Sequence, residues 1–470
     1  MGNSQELDDL RRENRQLREK LERVQQENER LRRLLEEALR AAKRQAGPFA
    51  RPGPKVNPAR PGRKRGARYG RVGCRPIPAQ VDETLEAPLP QQCPHCQGKV
   101  AESGVQEQYQ TEIPQPRVQR IRIRVHIGRC QSCGRRVQGR HPRQTSDALG
   151  RAASQLGPRA MALASELNKG LGLSYGKTAA VLHEAFGLQV SRGGLSQAFA
   201  RLARKAEPTY QQLIQVLRRS GSVTPDETGW RVGGRLQWLW AFASQEVTVY
   251  SIQPGRGFEQ AARILGADFA GFLTHDGWRV YQKFLLAFHQ TCLAHLLRRC
   301  REMIETASPA GARFPQAVQG ILQQALGLRD RRQAALISEP GLAVARGRLE
   351  AHLDRLLERP YHSAANERFA AHLQRNREFL FTFLSCPGLE ATNWRAEQAL
   401  RPAVVSRKVW GGNRTPQGAH TQEILTSVRQ TCRQQKRPWL AQLVEMLCSP
   451  LRQAWNLLAS DLSPPTPQTC

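Results

Sequence analysis

Acidic side chains are in short supply. Against 71 Lys and Arg the 470-residue chain has 40 Asp and Glu, a formal net charge of +31 and a pI near 10.8. A surplus of that size calls for an anionic partner, nucleic acid being the commonest and an anionic membrane surface the rival. Long apolar runs are also lacking: none could span a bilayer. The chain opens polar and helical, with no signal-peptide core. A soluble, intracellular protein is therefore expected. Cysteine is too thinly spread, at eleven residues, to make a disulfide scaffold of a chain this long.

Four of those cysteines are paired as Cys93-Pro-His-Cys96 and Cys130-Gln-Ser-Cys133. Two knuckles of this kind offer four thiolates to one tetrahedral ion, so residues 90–137 read as a structural zinc module, with unmetallated thiols as the alternative. Between the knuckles Val118, Ile121, Ile123, Val125 and Ile127 mostly alternate with Arg and His, which predicts a strand returning the chain to the second pair. Cys74, Cys292, Cys300, Cys386, Cys432, Cys448 and Cys470 are scattered, and most read as small buried hydrophobes or free thiols.

Residues 5–43 carry a heptad. With Leu7 at position a, the a series is Leu7, Asn14, Leu21, Asn28, Leu35, Ala42, and the d series Leu10, Leu17, Val24, Leu31, Ala38. A strict seven-residue repeat predicts a coiled coil, and asparagines at a favour a parallel homodimer or higher oligomer. A single helix docked on the chain's own core is the alternative. Residues 44–80 follow as a basic linker. The stretch Arg40–Arg75 within and before it is rich in Pro and Gly and has no acidic residue, so disorder is expected. There Arg63, Lys64 and Arg65 are candidate phosphate contacts that read no sequence.

Residues 150–207 read as helical. Gly176–Phe186, a short turn, and a helix capped by Ser191 through Lys205 have the layout of a helix-turn-helix, with Arg192 on the second helix's basic edge. A plain packing hairpin fits as well. Gly176-Lys-Thr178 is not a phosphate-binding loop, because Leu171 stands where that motif needs glycine. From residue 220 the period changes. Gly221–Glu227, Leu236–Ala243, Val247–Ile252, Gly271–His275 and Phe288–Cys292 read as strands, with Gly257–Leu265 and Leu293–Ile304 helical. Three strands, then helix, strand, helix, strand, helix predict an α/β domain with a mixed sheet over 220–435. A helical insertion is expected at 305–388 and a helical tail at 436–470.

Three carboxylates stand out: Asp226 in Val223-Thr-Pro-Asp-Glu-Thr-Gly-Trp230, Asp276 in Phe272-Leu-Thr-His-Asp-Gly-Trp278, and Glu397 in Asn393-Trp-Arg-Ala-Glu-Gln-Ala-Leu-Arg401. The aspartates are expected at neighbouring strand ends and Glu397 on a helix laid against that sheet. Taken singly, each could be a turn or cap residue. Together they could hold two divalent cations, Mg²⁺ or Mn²⁺, for phosphodiester chemistry. Asn393, Glu397 and Arg401, at i, i+4 and i+8, are expected on one helix face. Arg401, Arg407 and Lys408 are further candidate DNA contacts, better suited to phosphates than to bases. Cys292 and His295, one turn apart, could be half a metal site, a group near the scissile phosphate, or mere packing.

On these residues the chain resembles the transposases of the insertion-sequence 66 family, within the DDE superfamily. The motifs that carry the resemblance are Asp226-Glu-Thr228, Asp276-Gly277, Cys292-Leu-Ala-His295 and Asn393-Trp-Arg-Ala-Glu397-Gln-Ala-Leu-Arg-Pro402 running on to Arg407-Lys408. The coiled coil, Pro61-Gly-Arg-Lys64 and the four-cysteine module agree. The family often has asparagine where Trp394 stands and tyrosine where Trp278 stands. The resemblance implies a ribonuclease-H-like catalytic core with Asp226, Asp276 and Glu397 as its metal-binding triad. It also implies cleavage and transfer of double-stranded DNA at element ends and target, in a prokaryotic cytoplasm beside the nucleoid. A non-catalytic coiled-coil and zinc DNA-binding regulator derived from a transposase is the runner-up. A plain metal-dependent nuclease is a third reading.

Overall fold

The computed structural model describes residues 16–28, 30–31, 77–116, 118–361, 363–449 and 453–458. Residues up to Pro114 form one unit and those from Gln115 another. In the first, residues 16–28 and 30–31 are helical, and the seam residues Leu17, Leu21, Val24 and Leu31 are each more than half exposed. The rest of the 5–43 heptad, most of the 44–80 linker and Arg63, Lys64 and Arg65 lie outside the described residues. Residues 77–116 are irregular apart from one knuckle. There the Cys93 N–H donates to Gly98 O at 2.9 Å, and the Gln97 N–H to Cys93 O at 2.8 Å, with Gln97 at φ +59°.

The second unit opens on the same motif. The Cys130 N–H donates to Arg135 O at 2.9 Å and the Gly134 N–H to Cys130 O at 2.9 Å, with Gly134 at φ +67°. The flanks pair as a short antiparallel hairpin, β1 (Ile127–Arg129) with β2 (Arg136–Gln138). The strand expected from Val118 onward is thus confined to its last residues. The His126 carbonyl still accepts the Gly139 N–H at 2.8 Å, but Val118 and Ile121 are exposed and the segment around them is irregular.

Helices α1 (Pro158–Ser165), α2 (Tyr175–Phe186) and α3 (Arg192–Arg218) follow. Gly187 at φ +63° ends α2, and the Ser191 hydroxyl accepts the Gly194 N–H at 3.0 Å to start α3. The hairpin expected from sequence is present, but α3 runs on past Lys205 to Arg218. Its apolar stripe, including Leu195, Phe199, Leu202, Tyr210, Leu213 and Leu217, shares one core with the sheet. Tertiary burial carries the helix beyond its helix-turn-helix length.

The sheet has five strands in the order β5-β4-β3-β6-β7. Strands β3 (Ser222–Val232), β4 (Arg235–Ala243) and β5 (Thr248–Gln253) form an antiparallel meander. Helix α4 (Phe258–Leu265) then crosses to β6 (Phe272–His275), which runs parallel to β3, and β7 (Phe288–Thr291) runs parallel to β6. Between β6 and β7 the expected helix is one 3₁₀ turn, Tyr281–Lys283. Tyr281 and Phe284 are fully buried in that stretch.

Beyond β7, α5 (Leu293–Thr306), α6 (Pro309–Gln333), α7 (Glu339–Leu357), α8 (Ala364–Arg375) and α9 (Thr382–Ser385) form the helical insertion. It has a core of its own, with Phe314, Ile321, Leu353, Phe369 and Phe381 packed on Leu293, Leu296 and Cys300. Helix α10 (Trp394–Trp410) returns to the sheet, followed by α11 (Pro416–Gln434) and α12 (Trp439–Cys448). The edge strand β5 is closed by α11. Its Glu423, Ser427 and Thr431, at i, i+4 and i+8, accept the Ile252, Tyr250 and Thr248 N–H groups. This row satisfies donors that would otherwise template another strand. No helix among the described residues is long and apolar enough to cross a membrane.

Candidate active site

Alternation along β3 sets the site. Val223 faces the large core with Trp240 and Phe242, whereas Trp230 joins Leu239, Ala241, Tyr250, Ala399 and Leu400 on the opposite face. Asp226 shares the parity of Trp230 and so projects towards α10; Glu227 projects the other way. Asp226 does not end its strand. It lies mid-strand opposite Ala241, because the turn through Gly233 and Gly234, both at positive φ, lets β3 and β4 pair out to Val232 and Arg235. Only the β3–β6 pairing stops early, at Val223 and Leu273. Continuing that register, Ser222 with Phe272 and Val223 with Leu273, brings Asp226 level with Asp276 just beyond β6. Past that point the two strands part, leaving both carboxylates at the opening.

Helix α10 crosses this face on small residues. Ala399 and Ala403 pack over β3 and β4, Trp410 meets Trp230 edge to face at 5.5 Å, and Arg407 donates to Thr228 Oγ1 at 3.1 Å. Its start is fixed against α5: the Leu293 N–H donates to Ala391 O at 3.0 Å and the Asn393 N–H to Cys292 Sγ at 3.3 Å. Glu397 in the first turn then faces His295 Nε2 at 3.4 Å and Arg298 at 3.5 Å. The three acids share one electrostatic space. Burial first, then Glu227, with further repulsion from Asp276 and Glu397, raises Asp226 from 3.8 to about 7. Neither aspartate forms an ion pair among the described residues. Asp226 accepts the Glu227 N–H and Asp276 the Trp278 N–H, both at 2.9 Å.

The Asp276 loop is held by two histidines that sequence reasoning missed. The Gly277 N–H donates to His275 Nδ1 at 3.0 Å, His275 Nε2 meets His289 Nδ1 at 3.2 Å, and His289 Nε2 meets Phe284 O at 3.2 Å. One assignment satisfies all three contacts: both rings neutral and protonated at Nε2. Burial agrees, pushing His275 down to about 3 and lowering His289. Gly277 is obligatory twice over, at φ +87° and with a Cβ position 3.1 Å from the His372 ring. On the far face Glu227 is almost wholly buried, bound to Arg256 Nε at 2.6 Å and Tyr281 Oη at 2.5 Å. Arg256 in turn lies over Trp278 at 4.0 Å. No sequence signal distinguished Glu227 from its neighbour Asp226 except strand parity.

The remaining candidates separate. The Cys292 thiol is buried and engaged with the Asn393 backbone, which makes it a packing group. Asn393 is 1% exposed, and neither its Nδ2 nor its Oδ1 finds a partner; His295 Nδ1 is likewise unpartnered. Arg401 continues the i, i+4 row that runs from Asn393 through Glu397. It opens onto a groove of about 660 Å³ with Trp394, Arg395 and Arg433. Arg407 is half-buried in its bond to Thr228, and Lys408 is exposed. Arg192 is exposed at the start of α3, its guanidinium beside Gly176. Among the described residues no three His, Cys, Asp or Glu side chains are gathered closely enough to hold a metal ion. In the knuckles, hydrogen bonds from the His95 and Cys96 backbone lower the Cys93 thiol, and those from Cys133 and Ser132 lower Cys130.

An uncharacterized protein of Sinorhizobium fredii (strain NBRC 101917 / NGR234), y4qI, is 25% identical over 303 residues, 57% of this chain and 55% of its own length. The chain thus spans about half of that curated relative. The profile described as Transposase IS66 family matches residues 153–421, from just before α1 into α11 and across all three acids. The chain therefore belongs to the IS66 family of transposases.

Proposed function

We propose that the protein is a DNA transposase that binds the ends of its element and catalyses metal-dependent strand cleavage and strand transfer. The observation that supports this reading is the electrostatic coupling of Asp226 on β3 to Asp276, directly after β6, and to Glu397 in the first turn of α10. An antiparallel meander extended by two parallel strands beside its first strand supports a ribonuclease-H-like description of the core. By donor type, though not drawn together into a closed cage, the three carboxylates suit hard divalent cations: two lack a cationic partner, and one is destabilised as an anion by burial and its acidic neighbours. Bound by these residues, Mg²⁺ or Mn²⁺ would supply an activated water and stabilise the leaving oxygen of the phosphodiester.

The chain's own groups prepare the substrate. Arg298 and His295, already facing Glu397, are placed to meet a phosphate drawn to the acids. Asn393, with both amide atoms unengaged, offers a donor and an acceptor at the same helix start. Neutral His275 and His289 keep the Asp276 backbone from shifting. No side chain is required as a covalent carrier, so a freed 3′-hydroxyl can attack a second duplex directly. The test is incubation of the full chain with a duplex bearing the element's own ends and Mg²⁺. Nicked ends and joined products are expected; intact DNA would overturn the reading, and nicks without joining would reduce it to a nuclease.

The knuckles fit zinc in donor chemistry, each with the same backbone turn and one thiol poised towards thiolate. About one zinc per chain should co-purify. Cys93→Ser or Cys130→Ser should release it and loosen residues 90–137 while sparing the core from Pro158 onward. Elemental analysis finding no zinc in the wild-type chain would sink this assignment.

The exposed seam of the N-terminal helix supports a parallel dimer that brings two DNA ends together. Deleting residues 5–43 should lower self-association and end pairing and leave single-end nicking intact. Sedimentation of the isolated segment provides the check. A monomer at roughly tens of micromolar, where a marginal coiled coil should still pair, would mean that the heptad packs on its own chain.

A further inference from the structure

Arginines gather on one side of the acid site, three of them without an acidic partner among the described residues. On α8, Arg368, His372 and Arg375 recur at i, i+4 and i+7 and so share a face. His372 presses against Gly277, one residue from Asp276. On α5, Arg299 lies 4.6 Å above the Phe369 ring of α8, within electrostatic reach of both Arg368 and Arg375. Among the described residues none of these three arginines has an acidic partner, and Arg368 and Arg375 are exposed. On the same helix as Arg299, Arg298 meets Glu397 at 3.5 Å.

The placement is rigid. Asn376, directly after α8, accepts from Gln282 Nε2 at 3.1 Å and Thr291 Oγ1 at 3.4 Å, tying the helix to the β6–β7 loop and to β7. Gln290 of β7 donates to Leu380 O at 3.1 Å and accepts the Phe383 N–H at 2.9 Å, which pins the return of the insertion. Like charges held together on a fixed scaffold destabilise the empty protein and favour a bound polyanion. Their spread along two helices suits a line of phosphates better than a single small anion.

We propose that α5 and α8 form a phosphate-binding ledge beside Asp276, on which Arg299, Arg368, His372 and Arg375 grip the sugar–phosphate backbone of the strand entering the acid site. This rests on the DNA-processing reading above. The helical insertion is then a wall of the active site as well as a structural appendage. Its contacts hold backbone and read no bases, so they act on any duplex.

The experiment uses the full chain and a random-sequence duplex oligonucleotide, with affinity measured against salt. Arg368→Gln with Arg375→Gln removes two exposed charges that no fold contact needs. Each lost phosphate contact should lower the slope of log K against log salt by about 0.9, so the pair should lower it by nearly 2 and weaken binding at least about tenfold near 0.1 M salt. In plasmid nicking the DNA concentration for half-maximal rate should rise. The control is Arg348→Gln with Arg355→Gln on α7, equally exposed and free of ion pairs among the described residues. The control should match wild type. Wild-type affinity in the ledge variant, or equal loss in both variants, would overturn the ledge alone. Absence of salt-dependent binding by the wild-type chain would instead overturn the DNA reading on which it rests.

Discussion

Asp226→Asn, Asp276→Asn and Glu397→Gln should each lower Mg²⁺-dependent strand cleavage at least about a thousandfold, roughly 4 kcal/mol of barrier. Each change keeps the size of the side chain and removes the anionic oxygen that a hard cation requires. The contacts that place the residues survive. The Trp278 N–H can still donate to the amide oxygen at position 276, and α10 stays docked through Trp410, Arg407 and the Asn393 backbone. Duplex affinity measured without divalent metal should therefore change little, since the basic surface is untouched. Single-turnover cleavage of end-bearing DNA decides the matter. Wild-type cutting by any one of the three variants would remove that residue from the triad.

The same Asp226→Asn variant should be more stable than the wild-type chain at alkaline pH. Burial and neighbouring acids hold Asp226 at about 7 in the folded protein against an ordinary 3.8. Between those values the native state binds the proton that the unfolded chain has released. Wild-type stability therefore falls as pH rises from about 4 to about 7 and is flat beyond. Three units bound the cost at about 4 kcal/mol, and relaxation around the opening should reduce it to a few. Asparagine escapes this penalty. In EDTA the variant's melting temperature should exceed the wild type's by several degrees at pH 8 and hardly at all at pH 4. Adding Mg²⁺ at pH 8 should close the gap by stabilising the wild-type carboxylate. An equal difference at both pH values would mean that Asp226 carries no such burden.

The two results belong together. Function needs acids gathered where they repel one another, and the fold opposes the repulsion through neutral ties. His275 and His289 hold the Asp276 loop with unionised rings, and Tyr250 donates to the Ala399 carbonyl at 2.7 Å to seat α10. Glu227, the one acid of the group with a strong cationic partner, faces the opposite side of the sheet, where Arg256 and Tyr281 stabilise it. Adjacent carboxylates in one strand thus take different parts because the pleat turns them apart.

By itself the sequence determined the local features. Residue period separated helices from strands, Ser191 and Gly187 marked helix ends, and the strand beginnings from Gly221 and Gly271 located the two aspartates. Those signals were legible because capping, turn chemistry and alternation act over a few residues. Only the tertiary structure decided the rest. Pairing with β4 carried β3 through Asp226 to Val232, and burial against the sheet carried α3 to Arg218. The insertion returned His372 to Gly277. Each of these depends on contacts between residues far apart in the chain, whose free energy of packing outweighs local preference and leaves no periodic trace in the sequence.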